Sequence, residues 1–509
     1  MAEGTYNITS TLHYSTYDGD SGHKLTIQGA GADKTILDGG GSIQILYINT
    51  DADWNGGDAG GDVTIKGMSF KDGNGGVYVY GTSINITIKE CAFLGNSGYG
   101  GVDARSDAGT VTITNNTFSG NSAGVGGGVD ATSWSGTITI TNNTFSGNSA
   151  ENDGGGVYAD SYSGTITITN NTFSGNSAAD GGGVSVLSIN VSTITITNNT
   201  FSENLAYWDG GGVYVYSDAG TITITNNTFS ENSANYGGGG VYACSGSGTI
   251  TITNNTFSGN SAADGGGVYT SSLGTVTITN NTFSENSANY GGGGVYAWLT
   301  YESAILNVYN NILFDNIANA GGYDGDDLYV NSDGDGNYIG CTINLYNNNF
   351  SGNADFDIGL SEDLYITLTD NYHHANNIQE DPLFVDAENG DFHLQSTSPC
   401  IDTGTNDAPH LPERDKDGKP RIIDGNGDNI AIVDMGAYES GNIICKGDFD
   451  QDGDVDGLDL AIFAEDFSRK DCDTGPICEG DFDGDDDVDE LDLAVFAEDF
   501  GKTDCPVYE

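Results

Sequence analysis

The sequence predicts an all-β chain, a parallel β-helix or β-solenoid, joined at its C-terminus to a small α-helical module with a duplicated acidic loop. Three observations carry that expectation. A unit of about 28 residues recurs through the middle of the chain, each copy alternates Thr with Ile or Val at strand period, and two Asp-rich loops 33 residues apart each precede an apolar run.

The repeat is plain in Thr-Ile-Thr-Ile-Thr-Asn-Asn-Thr-Phe, closed by Phe118, Phe145, Phe173, Phe201, Phe229, Phe257 and Phe283 at spacings of 27, 28, 28, 28, 28 and 26. Weaker copies end at Phe70, Phe93, Phe314 and Phe350. Alternation puts Ile222 and Ile224 on one face and Thr221, Thr223 and Thr225 on the other. Three short strands per unit fit one coil of a solenoid, and coils stacked about 4.8 Å apart would merge the Ile, Val and Phe columns into one core. At the Asn226-Asn227 corner, Asn tolerates left-handed backbone, and stacked Asn amides can hydrogen-bond along the ladder. The Gly-Gly-Gly-Val segments read as backbone that bends tightly or lies close to a neighbouring coil.

Charge bounds the partners. Seventy-three acidic residues against 14 basic ones give a net charge of -59, and no Lys or Arg stands between Arg105 and Arg414. Such a chain repels nucleic acid and anionic lipid, and suits an extracellular setting where salt or divalent cations screen it. No window approaches the run of about 18 to 20 apolar residues that a membrane span needs, so no membrane insertion is expected. The N-terminus shows no basic region followed by an apolar run, and Gly4-Thr5-Tyr6 already reads as strand, so upstream sequence is expected to be missing from a secreted or cell-surface protein.

The pairing of Phe-Ser-Gly-Asn with Gly-Gly-Gly-Val over roughly residues 65–355 resembles the repeats of chlamydial polymorphic membrane proteins and of secreted bacterial and archaeal β-helix proteins. The resemblance implies a single-stranded right-handed parallel β-helix, exposed or released at a cell surface, with an adhesive role. Residues 1–374 are assigned to this helix. Residues 375–440, with Asp381-Pro382-Leu383-Phe384 and Asp434-Met435-Gly436-Ala437-Tyr438-Glu439, resemble the closing segment of such proteins and are expected to cap it.

Residues 441–509 hold the most specific chemistry. Asp448, Asp450, Asp452, Asp456 and Asp459 stand at loop positions 1, 3, 5, 9 and 12, with Gly453 at position 6 and Asp454 at position 7, where a backbone carbonyl serves. Asp481, Asp483, Asp485, Asp487, Asp489 and Asp492 repeat the pattern, with Asp486 at the sharp turn. This is the spacing of a seven-oxygen calcium site, so calcium is the expected cofactor. Each loop leads into an apolar run with no helix before it, and a loop followed by one helix, given twice, resembles type I dockerin repeats. The resemblance implies an EF-hand-like module and a cohesin-like partner contacted at Gly457-Leu458 and Glu490-Leu491. Four cysteines allow three pairings; if the two units pack about a pseudo-twofold axis, Cys445 with Cys505 and Cys472 with Cys478 are favoured. Cys91, Cys244, Cys341 and Cys400 read as buried thiols.

Three classes of function follow. The favoured one is a binding, adhesive or structural scaffold for a polysaccharide, a cell surface or further copies of the chain. Its candidate ladder is the residue after Val in each Gly-rich segment: Tyr78, Tyr158, Tyr214, Tyr242, Tyr269 and Tyr296, interrupted by Asp103, Asp130 and Ser185. The second is a polysaccharide lyase or glycoside hydrolase, which needs paired carboxylates or calcium with a base. The acidic loops Asp51 to Asp62 and Asp324 to Asp335 are places for its cleft. No catalytic residue is assigned. Ice binding by the Thr ladders is the third.

Overall fold

Every Thr-Ile-Thr-Ile-Thr segment is a strand, because β-branched side chains pack well on a pleated surface and their alternation suits a sheet with one buried face. The computed structural model describes the chain apart from residues 16–21, 51–59, 191, 300–303, 320–324, 333–340, 352–357, 361–371, 429, 442–446, 451–453, 471, 473–477, 479, 483–486 and 502–509. One coil runs through Thr221–Thr225, Thr228–Ser230, Ser233–Ala234 and Val241–Ser245 before the next copy begins at Thr249. Each segment pairs in parallel with its copy one coil on, as Ile222 with Ile250, Phe229 with Phe257 and Tyr242 with Tyr269.

Among the described residues, the Ile strands form a sheet of 13, the Val-Tyr strands a sheet of 13 and the Phe strands a sheet of 12. A fourth ladder of eight strands, six of them only two residues long as at Ser233–Ala234, makes four sides where three were expected. The sheets extend beyond the marked repeats, beginning with Gly4–Asn7 and ending with Tyr372–Ala375.

Ile222, Ile224, Val241 and Phe229 are fully buried in one continuous core. The Phe rings from Phe70 to Phe283 stack face to face, with centroids 4.7–5.1 Å apart. Phe314 departs from its expected place. Register sets Leu313 opposite Phe283 and turns Phe314 outward opposite Ser284, since a one-residue offset changes faces. Phe350 returns to the core.

The two corner asparagines divide their work. Asn226 takes the left-handed backbone (φ 59°), as do Asn198 and Asn254. Asn227 turns inward, donating from Nδ2 to Asn255 Oδ1 (3.1 Å) and to the Ile196 carbonyl (2.8 Å), while its own oxygen accepts from the Asn199 backbone and amide. A second column, through Asn176, Asn204, Asn232 and Asn260, repeats the pattern at the next corner. It ends where Asn316 donates to the buried carboxylate of Asp327 (2.8 Å). Glycine is required beside these columns. Gly210 has φ 69°, and a Cβ at Gly212 would lie 2.6 Å from the Gly240 carbonyl in the next coil.

The segment 375–440, expected as an end cap, begins on the last coil, where Asn377 Oδ1 accepts from the Asn348 backbone and amide and Ile378 bridges Asn349, and then contacts the flank of the helix. Thr405 exchanges hydrogen bonds with Asn310, Asn280 Nδ2 donates to the Asp434 carbonyl (2.9 Å), Asn254 Nδ2 to the Arg414 carbonyl (2.7 Å), and Lys416 Nζ to the Asn227 carbonyl (2.6 Å). The outward corner asparagines are its attachment points. Arg421 is buried against Glu439 and also donates to Asn254 Oδ1. Under this cover Thr251, Thr253, Thr277 and Thr279 are buried, whereas Thr139, Thr167 and Thr195 in earlier coils stay partly open.

Replacing Ile224 with Asp buries a carboxylate with no cationic partner and should cost several kcal/mol. Thermal melting should shift strongly downward; an unchanged midpoint would disprove the inward register.

Candidate functional site

Two regions gather chemistry. The first is the outer face of the Val-Tyr sheet. Val241 and Ala243 point inward there, so Tyr242 and Cys244 point out. Tyr214, Tyr242, Tyr269 and Tyr296 stack in parallel with centroids 4.7–5.2 Å apart, as Tyr78 does on Tyr47 at 4.8 Å. Burial raises the hydroxyl pKa of Tyr78, Tyr158, Tyr214, Tyr242 and Tyr269. These rings cover one another's faces, so within the stacks the ladder presents edges and hydroxyls, and the expected stacking of sugars on every tyrosine does not fit. Tyr158 lies between Asp130 and Ser185 in register, outside either stack.

At the break between Tyr78 and Tyr158, Asp103 and Asp130 share Arg105. Its guanidinium is bidentate to Asp103 (2.6 and 3.0 Å) and reaches Asp130 Oδ2 at 2.9 Å. Desolvation raises both carboxyls, Asp130 to about 7, despite the arginine. Arg105 and Asp130 are 25 positions apart, and coil register alone brings them together.

A further acidic column runs beside the tyrosines. Asp153 and Asp180 are bridged in parallel, Asp180 Oδ1 accepts from the Asp209 N–H (3.0 Å), and Asp209 Oδ1 accepts from the Gly237 N–H (2.7 Å). Burial raises Asp153, Asp209, Asp180 and Asp264, the last two to about 6. Sequence reading missed this column. Its signal was the Asp directly before Gly-Gly-Gly at 153, 180, 209 and 264. Of the acidic loops considered for a cleft, residues 51–59, 324 and 333–335 lie outside the described residues.

The second region is the C-terminal module. Helix α1 (Gly457–Asp466) and helix α2 (Glu490–Asp499) each open on a reciprocal capping box, Asp456 with Asp459 and Asp489 with Asp492. The halves exchange equivalent contacts. Ser468 N donates to the Val488 carbonyl and Gly501 N to the Val455 carbonyl, while Phe463 and Phe496 meet at 5.2 Å in a shared core. Leu458 and Leu491, 60% and 62% exposed, remain outside it.

Among the described residues, three sets of carboxylates converge, with oxygens within 4.8 Å of one another: Asp448, Asp450 and Asp459; Asp454, Asp456 and Asp459; Asp487, Asp489 and Asp492. Asp481 is in none of these sets, and Asp452, Asp483 and Asp485 lie outside the described residues. An all-oxygen anionic donor set of this kind fits a hard divalent cation. The same geometry also serves as a helix cap, since Asp459 accepts the Phe449 (2.7 Å) and Asp456 (2.8 Å) N–H groups. Cys472 and Cys478 are joined by a disulfide; Cys445 and Cys505 lie outside the described residues. Cys91, Cys341 and Cys400 are buried free thiols, whereas Cys244 is half-buried, because its strand position faces outward.

The Asp103–Arg105–Asp130 cluster sets a pH dependence. Asp130 binds its proton more tightly folded than unfolded, so its contribution to stability is full below about pH 4 and is lost as pH rises towards 7. Asp130→Asn should flatten the melting temperature over that window and leave it unchanged or higher at pH 8. A fall of several degrees at pH 8 would show that the ionised carboxylate is net stabilising.

Comparison with known proteins agrees with the coil geometry. A family model described as "Right handed beta helix region" matches residues 18–173, 53–229 and 163–333. Searches of curated proteins and of solved structures return no match. The matched stretches run on from residue 18 to residue 333, more than half of the 509 residues, and the chain therefore belongs to the right-handed β-helix family.

Proposed function

We propose that this chain is an extracellular or cell-surface scaffold that binds polysaccharide on the outer face of its Val-Tyr sheet and is tethered through its C-terminal module. One observation carries the reading: a column of tyrosine edges, interrupted by carboxylates, repeats at coil spacing on this face, while residues 375–440 cover the opposite corner. A rigid array of hydrogen-bonding groups at constant rise suits a ligand that itself repeats. The covered Thr251 and Thr277 leave less of the Thr array for the alternative of ice binding.

The tether rests on the converging carboxylates of residues 448–459 and 481–492. Bound calcium would neutralise them and so join the loops to the folding of the module. Asp448, Asp450, Asp456 and Asp459, with Asp489 and Asp492, would hold the ions. The exposed Leu458 and Leu491 are the surface for a cohesin-like partner, related by the internal repeat.

A second reading draws on the Asp103–Arg105–Asp130 cluster. Two buried carboxyls beside a guanidinium and an outward tyrosine are groups that glycosidic cleavage can use as acid and electrostatic stabiliser. In this reading Asp130 supplies the proton and Arg105 holds the anionic partner. Release of reducing ends from a bound glycan, abolished by Asp130→Asn, would establish it; binding without release excludes it.

Glycan-array binding of the whole chain should persist in chelator, because the ladder contains no proposed calcium ligand. Loss of all glycan binding on chelation would place recognition in the C-terminal module. Calorimetric titration with calcium should show two binding events, one removed by Asp459→Ala and the other by Asp492→Ala. Chelator should also expose residues 447–501 to protease while the β-helix resists. Equal resistance with and without calcium would leave the loops as plain helix caps.

A further inference from the structure

We infer that the polysaccharide bound on the Val-Tyr side is one bearing free amino groups, seated on an aromatic ledge formed by Tyr207, Trp208 and Tyr236 above the carboxylates of Asp180 and Asp209. The inference rests on the proposed polysaccharide-binding function and names its substrate class.

The ledge follows from coil register. Trp208 N donates to the Ala179 carbonyl (2.7 Å), and Tyr236 N donates to the Trp208 carbonyl (3.0 Å), so Ala179, Trp208 and Tyr236 stand one above another, with Tyr207 beside Trp208 in the same coil. Ala263 N continues the row by donating to the Tyr236 carbonyl (2.8 Å). Large rings thus occupy two successive coils between coils that carry alanine. These rings are open: Tyr207 is 65% exposed, Trp208 47% and Tyr236 59%, against the near-complete burial of Tyr269 and Tyr296 in the ladder. Unlike the ladder tyrosines, they keep ring surface available to a sugar.

In three of these four coils the next residue belongs to the acidic column, Gly237 after Tyr236 being the exception. Asp180 follows Ala179 and Asp209 follows Trp208, and each carboxylate is engaged by one backbone N–H from the next coil, which leaves a second oxygen for a donor. The Asp209 carboxylate lies beside the Tyr242 ring, since a Cβ on Gly237 would sit 2.9 Å from Tyr242 and 3.1 Å from Asp209 Oδ1. Ledge and ladder are therefore two walls of one surface. No Lys or Arg lies between residues 106 and 413, Arg105 is held by Asp103 and Asp130, and Lys416 and Arg421 dock at the Asn227 and Asn254 corners. A uronate polymer would meet unrelieved negative charge here, whereas an aminosugar offers an apolar C–H face to the rings and a protonated amine to the carboxylates.

The test is calorimetry of the whole chain with glucosamine oligomers and with their N-acetylated counterparts, which share a backbone and differ in charge. The free amine should bind about tenfold more tightly, the scale of a charge-assisted hydrogen bond. Asp180→Asn with Asp209→Asn should abolish that preference, and Trp208→Ala with Tyr236→Ala should weaken both oligomers. Glu388→Gln with Glu413→Gln, an equal change of charge on the covered flank, should leave binding unaltered. An equal loss in that control, or polylysine binding that competes fully and ignores Asp180 and Asp209, would reduce the effect to bulk charge and overturn the inference. Preference for the N-acetylated oligomer or for polygalacturonate would overturn the amine assignment and keep the polysaccharide reading. Failure to bind any glycan would remove both.

Discussion

A coil that turns its corners inside a stack places backbone amides where water does not reach, and each must find a partner or cost a large part of the coil's stability. The two asparagine columns supply those partners. Asn204 Oδ1 accepts the backbone and side-chain N–H groups of Asn176, while its own amide donates to the Phe173 carbonyl and to Asn232. An equivalent exchange at Asn227 serves the other corner. Only a side chain with one acceptor and two donors at this length closes the pattern, which is why the residue scarcely varies there while the outward positions of the Val-Tyr sheet do vary. The Ile, Val and Phe columns add burial, but the corners set the register on which those columns depend.

The same register divides the surface into two roles. At the Asn226 corner the first asparagine turns outward, and in the later coils it holds residues 375–440 through side-chain to backbone bonds. On the Val-Tyr side no such cover is described, and Tyr, Asp and Ser alternate at one register position from coil to coil. Constancy at the corner thus permits variety on the face. Chemistry there arises between coils: Asp103, Arg105 and Asp130 form a site although no single repeat contains it.

What was legible in the sequence is what the repeat makes local. Ile222 and Ile224 announce their face by period, and Asn226 announces its backbone by residue type. The two-residue ladder at Ser233–Ala234 was not legible, since a strand so short has no period. Phe314 misled because composition marks a repeat end while register decides which residue is inside. The flank path of residues 375–440 was hidden, its contacts spanning up to 189 positions with no pattern to reveal them. Asp180 and Asp209 were overlooked because the glycines after them drew attention as turns. In the C-terminal module, loop spacing and capping were readable, yet the same Asp459 carboxylate serves a helix cap and completes an oxygen cluster. Spacing alone does not separate those uses.

Along both columns the link from one asparagine to the next runs one way: backbone N–H and one amide N–H donate to the Oδ1 of the next, more C-terminal coil, while the second amide N–H donates to a carbonyl of the preceding coil. The dipoles add, much as peptide dipoles do along a helix. The buried Asp327 carboxylate stands at the donor end of one column and matches its positive pole. The stack is consequently polar from end to end: its first coil offers acceptors and its last offers donors. An inserted or deleted coil would preserve this current of hydrogen bonds, whereas a coil laid in reverse would set donor against donor, so such a chain can lengthen or shorten by whole repeats but cannot be inverted.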